Sequence, residues 1–178
     1  KGIEDIPYLT NETILDLNEK PESIIIVGGG YVAVEYAHFL EAMGTKVIIL
    51  QRSNRLIKNS EPEISKLLEK KLKERMKVFT NTDVSEVKKE NGKIVAVGTN
   101  TETDKKEEYK ADKIMIAAGR KSNADILKVE NTGVETDKRG YIKVNDYLET
   151  SKENIWALGD ATGRAMFKHV ANEEAELA

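Results

Sequence analysis

The run Ser23-Ile24-Ile25-Ile26-Val27 leads straight into Gly28-Gly29-Gly30, and Tyr31-Val32-Ala33 follows. Gly28, Gly30 and Ala33 satisfy the spacing G-x-G-x-x-G/A. Each position has its own physical task. Gly28 permits a tight turn out of a strand. Gly30 has no side chain, so a pyrophosphate can approach its backbone. Ala33 is small enough for the next helix to pack close to a sheet. The start of that helix offers free N–H groups and the positive end of its dipole to phosphates. The pattern alone is weak, but here it follows a strand-like run, opens a helix-like run and precedes a second strand at suitable spacing.

A second set of such residues stands where that second strand, Lys46-Val47-Ile48-Ile49-Leu50, ends. Sites for NAD place Asp or Glu about 20 residues past the glycines, where it binds the ribose 2′-hydroxyl. Neutral Gln51 occupies this place, followed by Arg52, with Arg55 and Lys58 in the same loop. A carboxylate would repel a 2′-phosphate, whereas an arginine can clamp one with two charge-assisted bonds. At an effective dielectric near 20, a cation about 4 Å from a unit charge gains up to roughly 4 kcal/mol before desolvation. A third of that corresponds to about tenfold in affinity. NADPH is therefore expected over NADH.

The elements that must position these residues follow from periodicity. Runs that are apolar on both faces suit strands buried between layers. Tyr31 to Met43 reads as a largely apolar helix closed by Gly44. Strand, crossover helix and strand make a βαβ unit of the right-handed kind. Glu61-Pro62-Glu63 opens a second helix, with proline near its first turn and acids at its positive end. Ile64, Leu67, Leu68 and Leu72 continue it to about Arg75. Val78-Phe79 is a short strand. Val84–Val87 and Ile94–Val97 flank Asn91-Gly92 as a hairpin, with Lys105 to Tyr109 as a more polar third strand. Lys113–Ala117 is another buried strand, and short late strands are expected at Tyr141–Val144 and Ile155–Leu158. The fold class is α/β: a Rossmann-like βαβ parallel sheet with an antiparallel β-meander excursion.

Composition narrows the partners. The 178 residues include 28 Lys and Arg against 31 Asp and Glu, a net charge of -3, which argues against a broad nucleic-acid surface. No apolar run is long enough to span a membrane. There are no cysteines, so this chain holds no disulfide, thiol chemistry or cysteine metal site. Neither His38 nor His169 has a plausible metal partner, and no metal site is expected. His38 is read as structural. Lys1 to Thr10 contains no apolar signal-peptide core, so a cytoplasmic location is expected. The chain starts without methionine and stops in helix-forming residues, and it reads as a piece of something longer.

Three motifs occur in order: Gly28 to Glu35 (GGGYVAVE), Ile116 to Asn123 (IAAGRKSN) and Thr150 to Asp160 (TSKENIWALGD). Together they resemble the flavin-dependent pyridine nucleotide-disulfide oxidoreductases, the family of dihydrolipoamide dehydrogenase, glutathione reductase and mercuric reductase. The resemblance covers nearly the whole chain. It implies that residues 1–20 connect from an FAD domain, 21–146 form the NAD(P)H-binding domain and 147–178 return to the FAD domain, truncated. Ala33, Ala37, Arg52 and Lys58 match positions that mark NADPH-using members. Tyr31 matches a tyrosine covering the nicotinamide pocket, and Glu35 a glutamate at the nicotinamide amide. These two are the candidate catalytic, supporting residues. Gly119 matches a glycine beside the coenzyme, and Gly29, Val32, Gln51, Val84, Ala118 and Arg120 complete the expected contacts. Gly159-Asp160 matches the second FAD motif, with Asp160 on a ribityl hydroxyl. The run holding Lys168 and His169 resembles the helix start expected beneath the flavin.

The resemblance implies a homodimeric parent that passes hydride from NADPH to FAD and on to a redox disulfide. This piece alone is expected to be inactive and to bind its coenzyme weakly. Three alternatives stay open: an NADH-using lipoamide dehydrogenase whose Gln51 binds a ribose hydroxyl, an NADH oxidase-type flavoprotein, and a non-catalytic NADPH-binding module.

Overall fold

Strand β1 (Ser23–Val27) is buried on both faces, and its side chains alternate between two cores. Ile24 and Ile26 join Ala33, Val34, Ala37 and Leu40 of helix α1 (Tyr31–Ala42). Ile25 points the opposite way, into a cluster with Ile94, Ala96 and Ala111. All three isoleucines are 0% exposed. Burying a side chain of this size stabilises by about 1.5–3 kcal/mol, so this short run is the anchor of both layers. The computed structural model describes all 178 residues. It divides into two units, Lys1–Gly119 and Arg120–Ala178.

In the first unit, a parallel sheet runs in the order β3 (Lys77–Phe79), β2 (Lys46–Leu50), β1, β7 (Lys113–Ile116). Val27 lies opposite Leu50 on one side and Ile116 on the other. Three strands therefore end level, along one edge of the sheet. Between β3 and β7 the chain makes an antiparallel meander of β4 (Thr82–Glu90), β5 (Lys93–Asn100) and β6 (Lys106–Ala111). The β4–β5 turn is Asn91-Gly92, with φ of 48 and 80 as a two-residue hairpin requires. The expected α/β class, parallel sheet plus meander, is the one observed. Val87, Ile94, Ala96 and Ala111 of the meander share the second core with Ile25, Leu50 and Ile114.

Helix α1 ends where Gly44 and Thr45 donate back to the carbonyls of Glu41 and Leu40. Helix α2 (Pro62–Lys73) starts with proline, buries Ser65 and Leu72, and carries Lys70, Lys71 and Lys73 at its negative end. The segment before β1 is not a loose connector. Ile6 and Ile14 are buried, and Leu9 pairs with Met115 on the outer edge of β7. Lys1 binds β4 through its carbonyl, which accepts from Val87 N–H at 2.9 Å. The segment boundaries expected at 20 and 146 concern the domains of a longer parent. Within this chain, residues 1–20 pack with the first unit and residues 120–146 with the second.

The second unit has a small core of Ala124, Val134 and Ile142, with Val129, Val144 and Ala157 packed around it. It contains the short helix α3 (Ala124–Leu127), single 3-10 turns at Val129–Thr132 and Gly159–Thr162, and helix α4 (Lys168–Leu177). The late strands expected at Tyr141–Val144 and Ile155–Leu158 do not form. Each region supplies one isolated bridge, Thr136 with Ile142 and Glu149 with Trp156. The first pairing stays short because Tyr141 N–H donates to Asp137 Oδ1 and Ile142 N–H to Ala161, and in the second only Ile155 and Ala157 bond across, to Thr150 and Leu148. No helix of the chain is long and apolar enough to cross a membrane.

Candidate coenzyme site

Gly28 leaves β1 with φ 123, in the region that favours glycine. A Cβ there would stand 2.3 Å from the Ala117 carbonyl oxygen. The turn is stitched to both neighbouring strands. Gly28 N–H donates to Leu50 at 2.9 Å, and Ala117 N–H donates to Val27 at 2.8 Å. At Gly29 a Cβ would meet Gln51 Cδ and Leu56 Cδ2, each at 2.8 Å. Gly28 and Gly29 are thus demanded by the chain itself.

Gly30 is different. Its φ of -81 and ψ of -174 suit any residue, and nothing lies within 4 Å of where a Cβ would stand. Neither backbone nor packing calls for glycine here, and the position leaves the backbone open from outside. Val34 N–H donates to Gly30 at 3.1 Å and starts the helical ladder. The N–H groups of Tyr31, Val32 and Ala33 precede that ladder and have no partner inside the helix. Ala33 and Ala37 are fully buried against β1, which lets α1 approach it closely. Tyr31 is 48% exposed and Glu35 is exposed. Four residues apart, they share one face of α1.

Ala118 and Gly119 continue from the end of β7, beside the end of β1. Gly119 has nothing within 4 Å of its Cβ position, but unlike Gly30 its φ of 152 itself favours glycine. The level strand ends thus bring together Gly28, Gly29, Gly30, Gln51, Ala118 and Gly119. Val84 is not part of this edge. It lies on β4 and packs against the core between the two sheets.

The loop after β2 is built from its own side chains. Gln51 Nε2 donates to Ser53 Oγ at 2.5 Å and to the Arg55 carbonyl at 3.2 Å, and Ser53 Oγ donates to the same carbonyl at 3.1 Å. Arg55 Nη2 donates to the Lys58 carbonyl at 2.6 Å. Ile57 N–H donates to Gly29 at 2.7 Å, and Leu56 is completely buried beneath the glycine turn. The side chains of Arg52 and Lys58 are exposed and make no hydrogen bond or ion pair within the chain. Leu56, Ile57 and Ser65, whose hydroxyl bonds the Ile57 carbonyl, escaped the sequence reading. No periodicity marks them, because their role depends on a glycine turn far earlier in the chain.

In the second unit, Arg120 Nη1 and Asp160 Oδ2 are 2.5 Å apart, with both side chains about half exposed. An exposed pair of this kind contributes about 0–1 kcal/mol, so Asp160 remains available to a competing hydroxyl. Gly159 opens a 3-10 turn, and its N–H donates to Glu174 Oε2 of α4 at 2.6 Å. Lys168 is the first residue of α4, and His169 stacks on Phe167 with ring centres 5.6 Å apart. His38, on α1, lies 2.8 Å from Arg75 Nη2.

The sequence matches the family model described as pyridine nucleotide-disulphide oxidoreductase over residues 1–175. It is 35% identical to a mercuric reductase of Staphylococcus aureus over 174 residues, covering 97% of this chain and 31% of that protein. It is 33% identical to a dihydrolipoyl dehydrogenase of Buchnera aphidicola, with 97% of this chain and 38% of the relative covered. A mycothione reductase of Mycobacterium tuberculosis is 32% identical over 97% of this chain and 36% of its own length. Among solved structures, the Cu(II) complex of the HOCl-induced flavoprotein disulfide reductase RclA from Escherichia coli superimposes with a TM-score of 0.89 at 27% identity. That match covers 99% of this chain and 40% of the other. The chain thus spans about a third of the length of the relatives it matches.

Proposed function

Because this chain belongs to the pyridine nucleotide-disulphide oxidoreductase family, we propose that it is the coenzyme-binding part of a flavin-dependent disulfide oxidoreductase that uses NADPH. The observation carrying this reading is Gly30, a glycine that neither its own backbone angles nor its neighbours require. An approaching pyrophosphate would rest there, against the free N–H groups that open α1.

The adenosine end of the coenzyme would reach the ends of β1 and β2. Gln51 brings no negative charge to the ribose, and its amide nitrogen is already engaged by Ser53 and Arg55. Arg52 and Lys58 supply the exposed cations that a 2′-phosphate needs. The nicotinamide end would lie toward Tyr31 and Glu35 on the exposed first turns of α1. Tyr31 would cover the ring position and Glu35 would accept from the carboxamide. Gly119 would leave room for the coenzyme at the end of β7.

When bound, the coenzyme would supply the hydride with which a parent flavoprotein, read as a homodimer, would reduce a disulfide. The chain's own residues bind, orient and select. In the second unit, Asp160 would hold the flavin's ribityl chain once Arg120 is displaced. The N–H groups at the start of α4, at Lys168 and His169, would face charge that builds on the flavin edge.

Isothermal titration of this chain with NADPH and NADH tests the coenzyme reading. NADPH is expected to bind at least about tenfold more tightly, the margin one clamped phosphate provides. Equal affinity, or tighter NADH, overturns it and favours the lipoamide dehydrogenase-like alternative.

A further inference from the structure

Loop 51–60 carries three cations, and one of them is already committed. The Arg55 guanidinium donates to the backbone carbonyl of Lys58 at 2.6 Å, three residues ahead. Between the two lies Ile57, with φ of 42. A β-branched residue in this left-handed region is a genuine outlier, and it persists only where its surroundings over-determine it.

The surroundings do so on both sides. The Ile57 N–H is held by the Gly29 carbonyl at 2.7 Å. The Ile57 carbonyl accepts from Ser60 N–H at 2.8 Å and from the hydroxyl of fully buried Ser65 at 3.3 Å. The Arg55 carbonyl is held by Gln51 and Ser53. Lys58 is the next residue on the same turn, and the Arg55 guanidinium fastens its carbonyl while its ammonium stays in solvent. The site gains a fixed Lys58 backbone, so less freedom is lost when that ammonium meets an anion.

We propose that Arg55 is a positioning residue for coenzyme selection: it fastens the strained turn from which Lys58 reaches the 2′-phosphate and does not bind that phosphate itself. This rests on the reading of the chain as NADPH-binding. It assigns the three cations of the loop two different tasks, with Arg52 and Lys58 as phosphate contacts and Arg55 as their support.

A double-mutant cycle separates support from contact. NADPH and NADH are titrated into this chain and into Arg55→Met, Lys58→Met and the double variant. Arg55→Met is expected to weaken NADPH about five- to tenfold and to change NADH less than about twofold. In the Lys58→Met background, Arg55→Met is expected to cost nothing further, because coupled residues do not add. Arg55→Lys, which retains a donor, recovers most of the loss. Losses that add overturn the proposal and make Arg55 a direct phosphate contact. If the unmodified chain shows no preference for NADPH, the coenzyme reading fails and Arg55's part in selection fails with it. If the preference holds and the losses add, only the role of Arg55 fails.

Amide hydrogen exchange on the chain without coenzyme gives an independent readout. Arg55→Met must speed exchange at Ile57 and Ser60, whose N–H bonds belong to the fastened turn. Unchanged exchange there overturns the proposal whatever the coenzyme result.

Discussion

At the scale of single residues, the glycine turn divides between Gly28, which the fold requires, and Gly30, which it does not. Gly28→Ala would force φ 123 on a residue with a side chain and drive its methyl into the Ala117 carbonyl. A loss of about 2–4 kcal/mol is expected, strain and overlap together, read as a lower urea midpoint. Gly30→Ser faces open space and keeps a good helix cap. Its unfolding free energy should change by less than about 0.5 kcal/mol, while its coenzyme affinity is expected to fall because the hydroxymethyl group would occupy the phosphate's approach. A Gly30→Ser protein as unstable as Gly28→Ala would make Gly30 a glycine of the fold alone. The turn made by Gly28 was legible in the sequence because a local spacing encodes it. The turn at Ile57 was not. Its angle is imposed by Gly29 and Ser65, which only the folded chain brings to it.

At the scale of elements, the joint between the two sheets has a titratable centre. Asp112, between β6 and β7, accepts from Lys93 at the start of β5 at 2.5 Å and from the Ser23 hydroxyl at the start of β1 at 2.5 Å. The Lys93 ammonium first, and the Ser23 hydroxyl second, hold the Asp112 carboxyl below the usual carboxylate range. A carboxyl with a lowered pKa in the folded state binds its proton more readily in the unfolded chain. Its contribution is therefore complete above the ordinary aspartate value of about 4 and is lost as pH falls through the lower folded value. Urea midpoints of the native chain should drop between pH 7 and pH 3. For Asp112→Asn the pH 7 midpoint should already be lower and the drop smaller. An identical pH dependence in both would remove Asp112 from the account.

The same scale shows which elements a sequence can announce. β1, α1 and β2 are long enough, apolar enough and punctuated clearly enough to be read directly. The apolar pairs at Ile142 and Val144, and at Ile155 and Trp156, look equally strand-like, yet a strand exists only with a ladder beside it. Asp137 and Ala161 take the Tyr141 and Ile142 N–H groups, and Ile155 and Ala157 find only Thr150 and Leu148 beside them. On α2, Ile64 and Leu67 keep helical spacing, as the sequence reading has it, but stay exposed, whereas Leu72 is buried.

At the scale of the whole molecule, the first 17 residues are structural in the first unit. Ile6 fills the core between the sheets and Ile14 the core beneath the helices. Leu9 covers the outer edge of β7, with Leu9 N–H donating to Ile114 at 2.8 Å and Ile116 N–H donating to Leu9 at 2.8 Å. Deleting residues 1–17 removes two buried isoleucines, at about 1.5–3 kcal/mol each, and exposes a strand edge. The shortened chain is expected to melt well below the complete one by circular dichroism and to self-associate at lower concentration. Equal melting would show that these residues only connect. Their polar, irregular composition hid this role, because three scattered contacts leave no period to read.

The parallel sheet also dictates an order of events at birth. Its middle strand emerges early, but the neighbour carrying Ala117 to Gly119 is made only after the entire meander. Until then the glycine turn has one wall missing, and the fully apolar Ile24–Ile26 run has no cover on that flank. A nascent chain stalled in the meander would present a sticky intermediate with its glycine turn unsupported on one side. Chaperone demand during synthesis should therefore peak before residue 113 clears the ribosome and subside once it has.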